Sequence, residues 1–365
     1  MNKVKTIRDS NLELFRILLM LAIVAHHYVV NSGIYQKILS SSPDFNSIFL
    51  LLFGAWGKTG INCFLLITGY FMCRQSISLS KFLKLLFIIE FYKVVLWLIF
   101  LLSGYEPFSL KIMVKEFLPV TSVASGFSSC FLLFYLCIPF INILIRNLDN
   151  KKHLCLLVLL LFIYTILGSL RFEVKFNYVS WFVVVYLIGA YVRCYPCRLF
   201  DNTGFWGITS AIMLLLSSLS VVAFFLLKKC DPYFLLADSN KIFAVAISVS
   251  LFMWFKNIKI RPSKFINTIA LSVFGVLQCH ANSNSMRRWL WQDVLKNTEF
   301  LDSIWLPLHA VVCVLGVYTI CTVIDYLRIN FLEKPFFIKW NEKFEPYIIS
   351  KCYKISSKIK ENLKG

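Results

Sequence analysis

The sequence predicts an all-α, polytopic membrane protein: a helical bundle of about ten transmembrane helices with both termini in the cytoplasm. Three observations lead to this class. The 365-residue chain is 58% hydrophobic and has a mean hydropathy of +0.71, whereas soluble domains contain about 45–50% apolar residues. Its apolar stretches are long enough to cross a bilayer, and short polar segments separate them. Lys and Arg are concentrated in alternate connecting segments.

The apolar stretches give the following candidate spans in chain order: 11–32, 48–73, 82–103, 127–145, 153–170, 178–192, 204–227, 241–255, 265–281 and 303–327. The sixth and the ninth are short for a span. The first is expected to be retained, because it contains Arg16 and lacks the small-residue cleavage site of a signal peptide. We expect one membrane domain over residues 1–332, followed by a basic, amphipathic tail over 333–365 that lies on the anionic cytoplasmic leaflet.

The basic residues set the expected orientation and exclude one class of partner. The formal charge is +19, and 24 Lys and Arg residues lie in the segments on one side against 11 on the other. This bias predicts cytoplasmic termini. The charges stand between apolar spans without a basic, aromatic-interleaved groove, so no nucleic-acid partner is expected. The twelve cysteines have neither a metal-ligand spacing nor a disulfide pattern, so we expect no metal site.

The first span, Asn11–Val30, is apolar but contains Glu13, Arg16, His26 and His27. Arg16 and His27 are eleven residues apart, which puts them on one helix face about 16 Å apart along the axis. Glu13 is spaced to pair with Arg16, and His26 points about 100° away from His27. A cation near one membrane surface, aligned with a titratable base at mid-depth, indicates a polar path into the bilayer. Snorkelling of Arg16 and interhelical hydrogen bonding by His27 are the structural alternatives.

Two later spans also carry polar groups. In the second span, Lys58 and Asn62 share a face, and four glycines would let neighbouring helices approach closely: Gly54, Gly57, Gly60 and Gly69. The ninth span ends in a polar and aromatic cluster at the expected outer surface: Gln278, His280, Asn282, Asn284, Arg287, Arg288, Trp289 and Trp291. Such a cluster is typical of a membrane interface. It also resembles the mouth of a sugar-binding site, where aromatic faces contact the ring and amides or guanidinium groups bind hydroxyls.

Three motifs in order resemble the membrane acyltransferase-3 family. Its first-helix signature, an Arg and a His separated by ten residues, is matched by Leu12–Arg16 followed by His27, with Glu13 replacing the usual Asp. Its glycine-spaced second-helix signature is matched by Gly57–Phe71. Its late signature, FGxYLxH, is matched by Phe274–His280.

The chain also departs from this family pattern. Leu277 stands where the late motif has a Tyr, and Ser128–Cys130 occupies the stretch where the family has a Trp before its fourth span. The ten-span count and the cytoplasmic termini agree with the family over nearly the whole chain.

The resemblance implies a multi-pass enzyme of the bacterial cytoplasmic (inner) membrane. It would transfer an acyl group, usually acetyl, from acetyl-CoA or another acyl-CoA to a hydroxyl of a surface polysaccharide or lipid-linked glycan. Arg16 and His27 are then the functional pair. Arg16, Lys58 and Asn62 are the candidates for contacting the donor. The candidates for contacting the acceptor are Tyr70, His280, Asn282, Arg287 and Arg288.

The expected chemistry suits these residue types. Histidine titrates near neutral pH and can take the proton of a sugar hydroxyl as it attacks the thioester. Lys58, Asn62 or Arg16 could stabilise the tetrahedral oxyanion, and Arg16 could instead bind a CoA phosphate. Direct transfer and transfer through an acyl-histidine both stay open. The competing classes are a transporter or flippase of a glycan or lipid precursor, which also carries charges at mid-membrane, and an inactive scaffold.

Overall fold

The computed structural model describes residues 9–121, 126–170, 172–175, 177–228, 230–348 and 350–351, and within these ranges the chain is helical with no β-strand. Seven helical segments there are long and apolar enough to cross a membrane: Ser10–Val30, Phe45–Met72, Leu79–Leu102, Phe127–Asn147, Asn150–Leu167, Thr203–Leu227 and Leu306–Ile348. Tyr178–Cys194 and Ile242–Asn257 are apolar but shorter. The predicted all-helical membrane class is confirmed. The count of about ten spans and the cytoplasmic termini stay predictions.

The α-helices of the described ranges are numbered in chain order: α1 Ser10–Val30, α2 Ile34–Ser40, α3 Phe45–Phe53, α4 Gly57–Met72, α5 Leu79–Leu102, α6 Leu110–Glu116, α7 Phe127–Asn147, α8 Asn150–Leu161, α9 Tyr178–Cys194, α10 Thr203–Leu227, α11 Ile242–Asn257, α12 Lys264–Ile269, α13 Val273–Ala281, α14 Asn284–Arg288, α15 Leu306–Arg328 and α16 Lys334–Lys339. A π-helical turn, Phe162–Leu167, extends α8.

Helix α1 lies inside the bundle, in contact with α3, α4, α11, α13 and α15. Its buried apolar side chains belong to two hydrophobic clusters. Leu12 and Phe15 pack in one cluster, while Val24 and Tyr28 pack in the other. A transmembrane helix that other helices surround can carry polar side chains, because these face protein rather than lipid.

Two predicted spans are interrupted helices. The predicted span 48–73 consists of α3 and α4, which are separated at Gly54–Trp56, and the Gly54 carbonyl accepts a hydrogen bond from His26 Nδ1 at 2.7 Å. The predicted span 265–281 consists of α12, a 3₁₀ turn and α13. Irregular backbone at membrane depth requires polar partners or a cavity. Both interruptions therefore point to polar surroundings next to α1.

The last long helix continues through the predicted domain boundary at residue 332, because α15 leads through a π-helical turn, Ile329–Glu333, into α16. Buried ion pairs hold this junction: Arg328 Nε and Asp325 Oδ1 are 2.8 Å apart, and Arg328 Nη1 and Glu333 Oε2 are also 2.8 Å apart. Of the predicted amphipathic tail, 333–365, residues 349 and 352–365 lie outside the described residues.

Two glycines let α4 and α9 cross at backbone contact: Gly69, which the sequence predicted, and Gly189, which it did not. A Cβ on Gly69 would lie 2.3 Å from the Tyr186 carbonyl oxygen, and a Cβ on Gly189 would lie 2.4 Å from the Leu66 carbonyl oxygen. Both obstructing atoms belong to helix backbones, which cannot yield as a flexible side chain can.

We therefore expect Gly69→Ala to destabilise the protein by about 1–3 kcal/mol, since the two helices must separate. The measurement is unfolding of the purified protein in detergent. Gly316→Ala is the matched control, because Gly316 also lies in a transmembrane helix and a Cβ there meets nothing within 4 Å. Equal stability of the two variants would contradict this account of the crossing.

A candidate active site along the first helix

A cavity of about 1100 Å³ follows α1 from one end to the other. Asp9, Glu13 and Arg16 line one end, which we call the Arg16 end; His27 and Asn31 line the other, which we call the His27 end. Asp9 and Asn31 are twenty-two positions apart, which in a helix corresponds to about 33 Å, close to the thickness of a hydrocarbon core of about 30 Å. Between the two ends the lining is mostly apolar: Met20, Ile23, Phe64, Leu85, Ile89, Phe131, Phe274 and Leu277.

A hydrogen-bonded chain of two imidazoles lies at the His27 end. His27 Nδ1 is 2.9 Å from His280 Nε2, and His280 Nδ1 is 2.6 Å from the Val276 carbonyl oxygen. A carbonyl oxygen only accepts, so His280 Nδ1 carries a proton. In the neutral ring, His280 Nε2 is then an acceptor, and His27 Nδ1 donates to it.

This pattern leaves the lone pair of His27 on Nε2. The ring is half-buried and lines the cavity, whereas His280 is completely buried behind it. Within the described residues, Nδ1 is the only His27 ring nitrogen in a hydrogen bond. The arrangement presents an oriented proton acceptor to the cavity, with its other nitrogen fixed, as general-base catalysis requires.

His26 also lines the cavity, although its ring lies differently from that of His27. Its ring centroid is 6.0 Å from that of His27, and its Nδ1 bonds to the Gly54 carbonyl rather than to a second imidazole. It also packs directly on Gly57, where an added Cβ would meet His26 Cβ at 2.4 Å. His26 therefore braces the interruption between α3 and α4.

Arg16 and Lys58 both line the cavity, each beside an acidic partner. Arg16 Nη1 is 2.9 Å from Glu13 Oε2, the pair that their spacing predicted. Lys58 Nζ donates to the Tyr178 hydroxyl at 2.8 Å and lies 3.7 Å from Asp238 Oδ1. Its ammonium group is thus held at the cavity wall. Neither Tyr178 nor Asp238 was singled out from the sequence, since no local pattern marks them and only folding brings them to Lys58.

Three sequence-predicted site residues lie apart from this cavity. Asn62 is buried between helices, where it donates to the Ser239 carbonyl at 2.7 Å and accepts from Trp181 Nε1 at 2.9 Å. Tyr70 accepts from Arg193 Nη1 at 2.9 Å and lines a separate cavity near the Arg16 end. Arg288 is exposed and donates to the Tyr105 hydroxyl at 2.9 Å.

The remaining acceptor candidates divide between the cavity wall and the layer behind it. Asn282 and Arg287 line the cavity at the His27 end. His280 was expected at an outer mouth, yet its side chain is fully buried against His27. Lys58 and Asn62 face the same way, as their spacing predicted: Lys58 contacts Tyr178 and Asp238, and Asn62 contacts Trp181 and Ser239. Of the two, Lys58 lines the cavity.

An all-helical chain with several apolar helices of membrane length belongs to the class of polytopic membrane proteins. The family model of the acyltransferase-3 family, described as an acyltransferase domain, matches residues 9–326. The chain therefore belongs to this family, and an acyltransferase activity follows in general terms. Comparison with curated proteins and with solved structures gave no significant match.

The two imidazoles generate a prediction for the family's activity. His280→Ala removes the acceptor that orients His27 Nδ1, so we expect acyl transfer to fall about 10²-fold while binding of the acyl donor stays within about twofold. Turnover and binding are measured on the purified variant. His280→Gln, whose amide oxygen can accept from His27, should recover part of the rate. If His280→Ala instead weakened donor binding and left turnover unchanged, His280 would not position the base.

Proposed function

We propose that this protein is an O-acyltransferase that moves an acyl group, acetyl in the simplest case, from cytoplasmic acyl-CoA to a hydroxyl of a surface polysaccharide or lipid-linked glycan. The proposal rests on one observation. His27 lines a cavity of membrane length and has an unprotonated Nε2, because its Nδ1 donates to His280. Membership of the acyltransferase-3 family indicates that the transferred group is an acyl group. The bacterial cytoplasmic membrane, acetyl-CoA and the glycan acceptor come from the family resemblance.

The donor would enter at the Arg16 end. The Lys and Arg bias of 24 to 11 favours a cytoplasmic location for that end, which is where acyl-CoA is found. Arg16 can contact a CoA phosphate there through its planar guanidinium. The apolar middle of the cavity suits the thin pantetheine arm of CoA, which would carry the thioester towards His27.

Groups on the cavity wall can account for the proton and the charge that move during the reaction. His27 Nε2 takes the acceptor hydroxyl proton while the oxygen attacks the thioester carbonyl. Lys58 lines the cavity and is a candidate to stabilise the oxyanion that forms, and its hydrogen bond to Tyr178 fixes its position. When the carbon–sulfur bond breaks, the CoA thiolate takes the proton from His27. Attack by His27 itself, giving an acyl-histidine, would use the same nitrogen.

A second candidate function, a transporter or flippase for a glycan or lipid precursor, is favoured by one observation. The cavity spans the length of α1 and is polar at both ends, which a transport pathway also requires. A transporter would move its substrate without consuming acyl-CoA. Turnover of acyl-CoA that depends on both the acceptor and His27 separates the two functions.

The central prediction compares neighbouring histidines. His27→Ala should lower acyl transfer by about 10²–10⁴-fold without loss of acyl-CoA binding, because the general base is gone. His26→Ala should lower it far less, since its ring braces the α3–α4 interruption. The assay is acyl-CoA turnover and binding by purified, monodisperse variants. Equal losses from both substitutions, or near-normal turnover by His27→Ala, would exclude His27 as the base.

The orientation gives a separate prediction. In a background without native cysteines, Ser41→Cys should react with a membrane-impermeant maleimide added to intact cells, and Lys360→Cys should react only after the membrane is permeabilised. The physical reason is the excess of basic residues beside both termini. Labelling in the reverse pattern would mean that the donor enters at the His27 end.

A further inference from the structure

The cations at the His27 end of the cavity differ in how they are neutralised. Lys58 Nζ lies 3.7 Å from an Asp238 oxygen, and Lys93 Nζ lies 3.8 Å from a Glu90 oxygen. Arg287 also lines the cavity, but its Nε and Nη2 donate only to the Ala281 carbonyl oxygen, at 3.1 and 2.8 Å. Among the described residues no carboxylate forms an ion pair with it.

Among the described residues of the cavity wall, no acidic side chain lies at the same end as Arg287. The cavity's acidic lining residues within the described ranges are Asp9 and Glu13, and both belong to the Arg16 end, more than twenty ångströms away along α1 by the helical rise. A half-buried guanidinium without a counter-ion is costly at membrane depth. An anionic group bound in the cavity would offset that cost.

Two amide atoms at the His27 end of the cavity also lack partners. Asn31 Nδ2 and Asn282 Oδ1 are buried with no hydrogen-bond partner among the described residues, and both residues line the cavity. The rest of the Asn282 amide is fixed, since its Nδ2 donates to the Tyr92 carbonyl at 3.0 Å. An unsatisfied buried polar atom lowers stability, so a ligand that bonds to it gains affinity.

We propose that the acceptor is anionic, and that Arg287 binds its carboxylate or phosphate group while a neighbouring hydroxyl reaches His27. Asn31 Nδ2 donates to the same ligand, and Asn282 Oδ1 accepts from one of its hydroxyls. A planar guanidinium binds either anion through paired N–H groups. The inference rests on the proposed acyl transfer and names the charge class of its acceptor.

The test uses three hydroxylated probes of similar length with purified protein and radiolabelled acetyl-CoA: an oligogalacturonate, an oligo(glycerol phosphate) and neutral maltotetraose. We expect transfer to one of the anionic probes and little to maltotetraose. Arg287→Gln should raise the KM for that probe by roughly 10- to 100-fold, the effect of one lost charged hydrogen bond, and Arg287→Lys should raise it less. The better anionic probe distinguishes a carboxylate from a phosphate ligand.

Charge reversal makes the test independent of simple loss of function. Arg287→Glu should reject the anionic probe and gain transfer to a glucosamine tetramer, which is cationic. Arg288→Gln is the matched control, because the adjacent Arg288 is exposed and lies outside the cavity lining; it should leave every KM within about twofold.

The outcomes separate the two proposals. If maltotetraose were the best acceptor, or if Arg287→Gln lowered kcat equally for all probes, the anionic acceptor would be wrong, and the second result would assign Arg287 to the oxyanion. If no probe supported turnover that His27→Ala abolishes, the proposed acyl transfer itself would fail.

Discussion

The site depends on one hydrogen bond, from His27 Nδ1 to His280 Nε2 at 2.9 Å. Because His280 in turn donates to the Val276 carbonyl, the pair has a single neutral arrangement that leaves a lone pair facing the cavity. An isolated histidine in a helix would have no fixed tautomer. The second imidazole therefore fixes the ring of His27 with its lone pair on Nε2.

That hydrogen bond requires α13 to hold a fixed position beside α1, and buried polar contacts meet this need. A Cβ on Gly275 would lie 2.0 Å from the Asp325 carboxyl group, so the glycine leaves room for that side chain. Asp325 Oδ1 accepts from the Tyr92 hydroxyl at 2.9 Å and from Arg328 Nε at 2.8 Å. The Tyr92 carbonyl accepts from Asn282, so α5, α13 and α15 support the wall that carries the proposed acceptor site.

All the cations that line the described cavity wall except Arg287 lie near an acidic side chain. Arg16, Lys58 and Lys93 each lie near an acidic side chain, which lowers the cost of a cation at membrane depth. Arg287 has only a carbonyl acceptor within the described part of the chain. A cation without an acidic partner can bind an anion without displacing one. The His27 end of the cavity has such a cation in Arg287, whereas Arg16 at the other end is paired with Glu13.

The sequence by itself determined the membrane class, the family, and the common face of Arg16 and His27, because hydropathy, motif order and helical spacing are properties of neighbouring residues. Only the tertiary structure decided which distant residues meet them. His27 and His280 are 253 positions apart, and nothing local distinguishes a surface His280 from a buried one. Asn62 and Tyr70 were expected in the site for their type and motif, yet neither lines the cavity. Tyr178 and Asp238 reach the site only through crossings of helices that hydropathy does not reveal. Asn31 differs from them, because it caps α1 four residues after His27 and reaches the site by helical spacing.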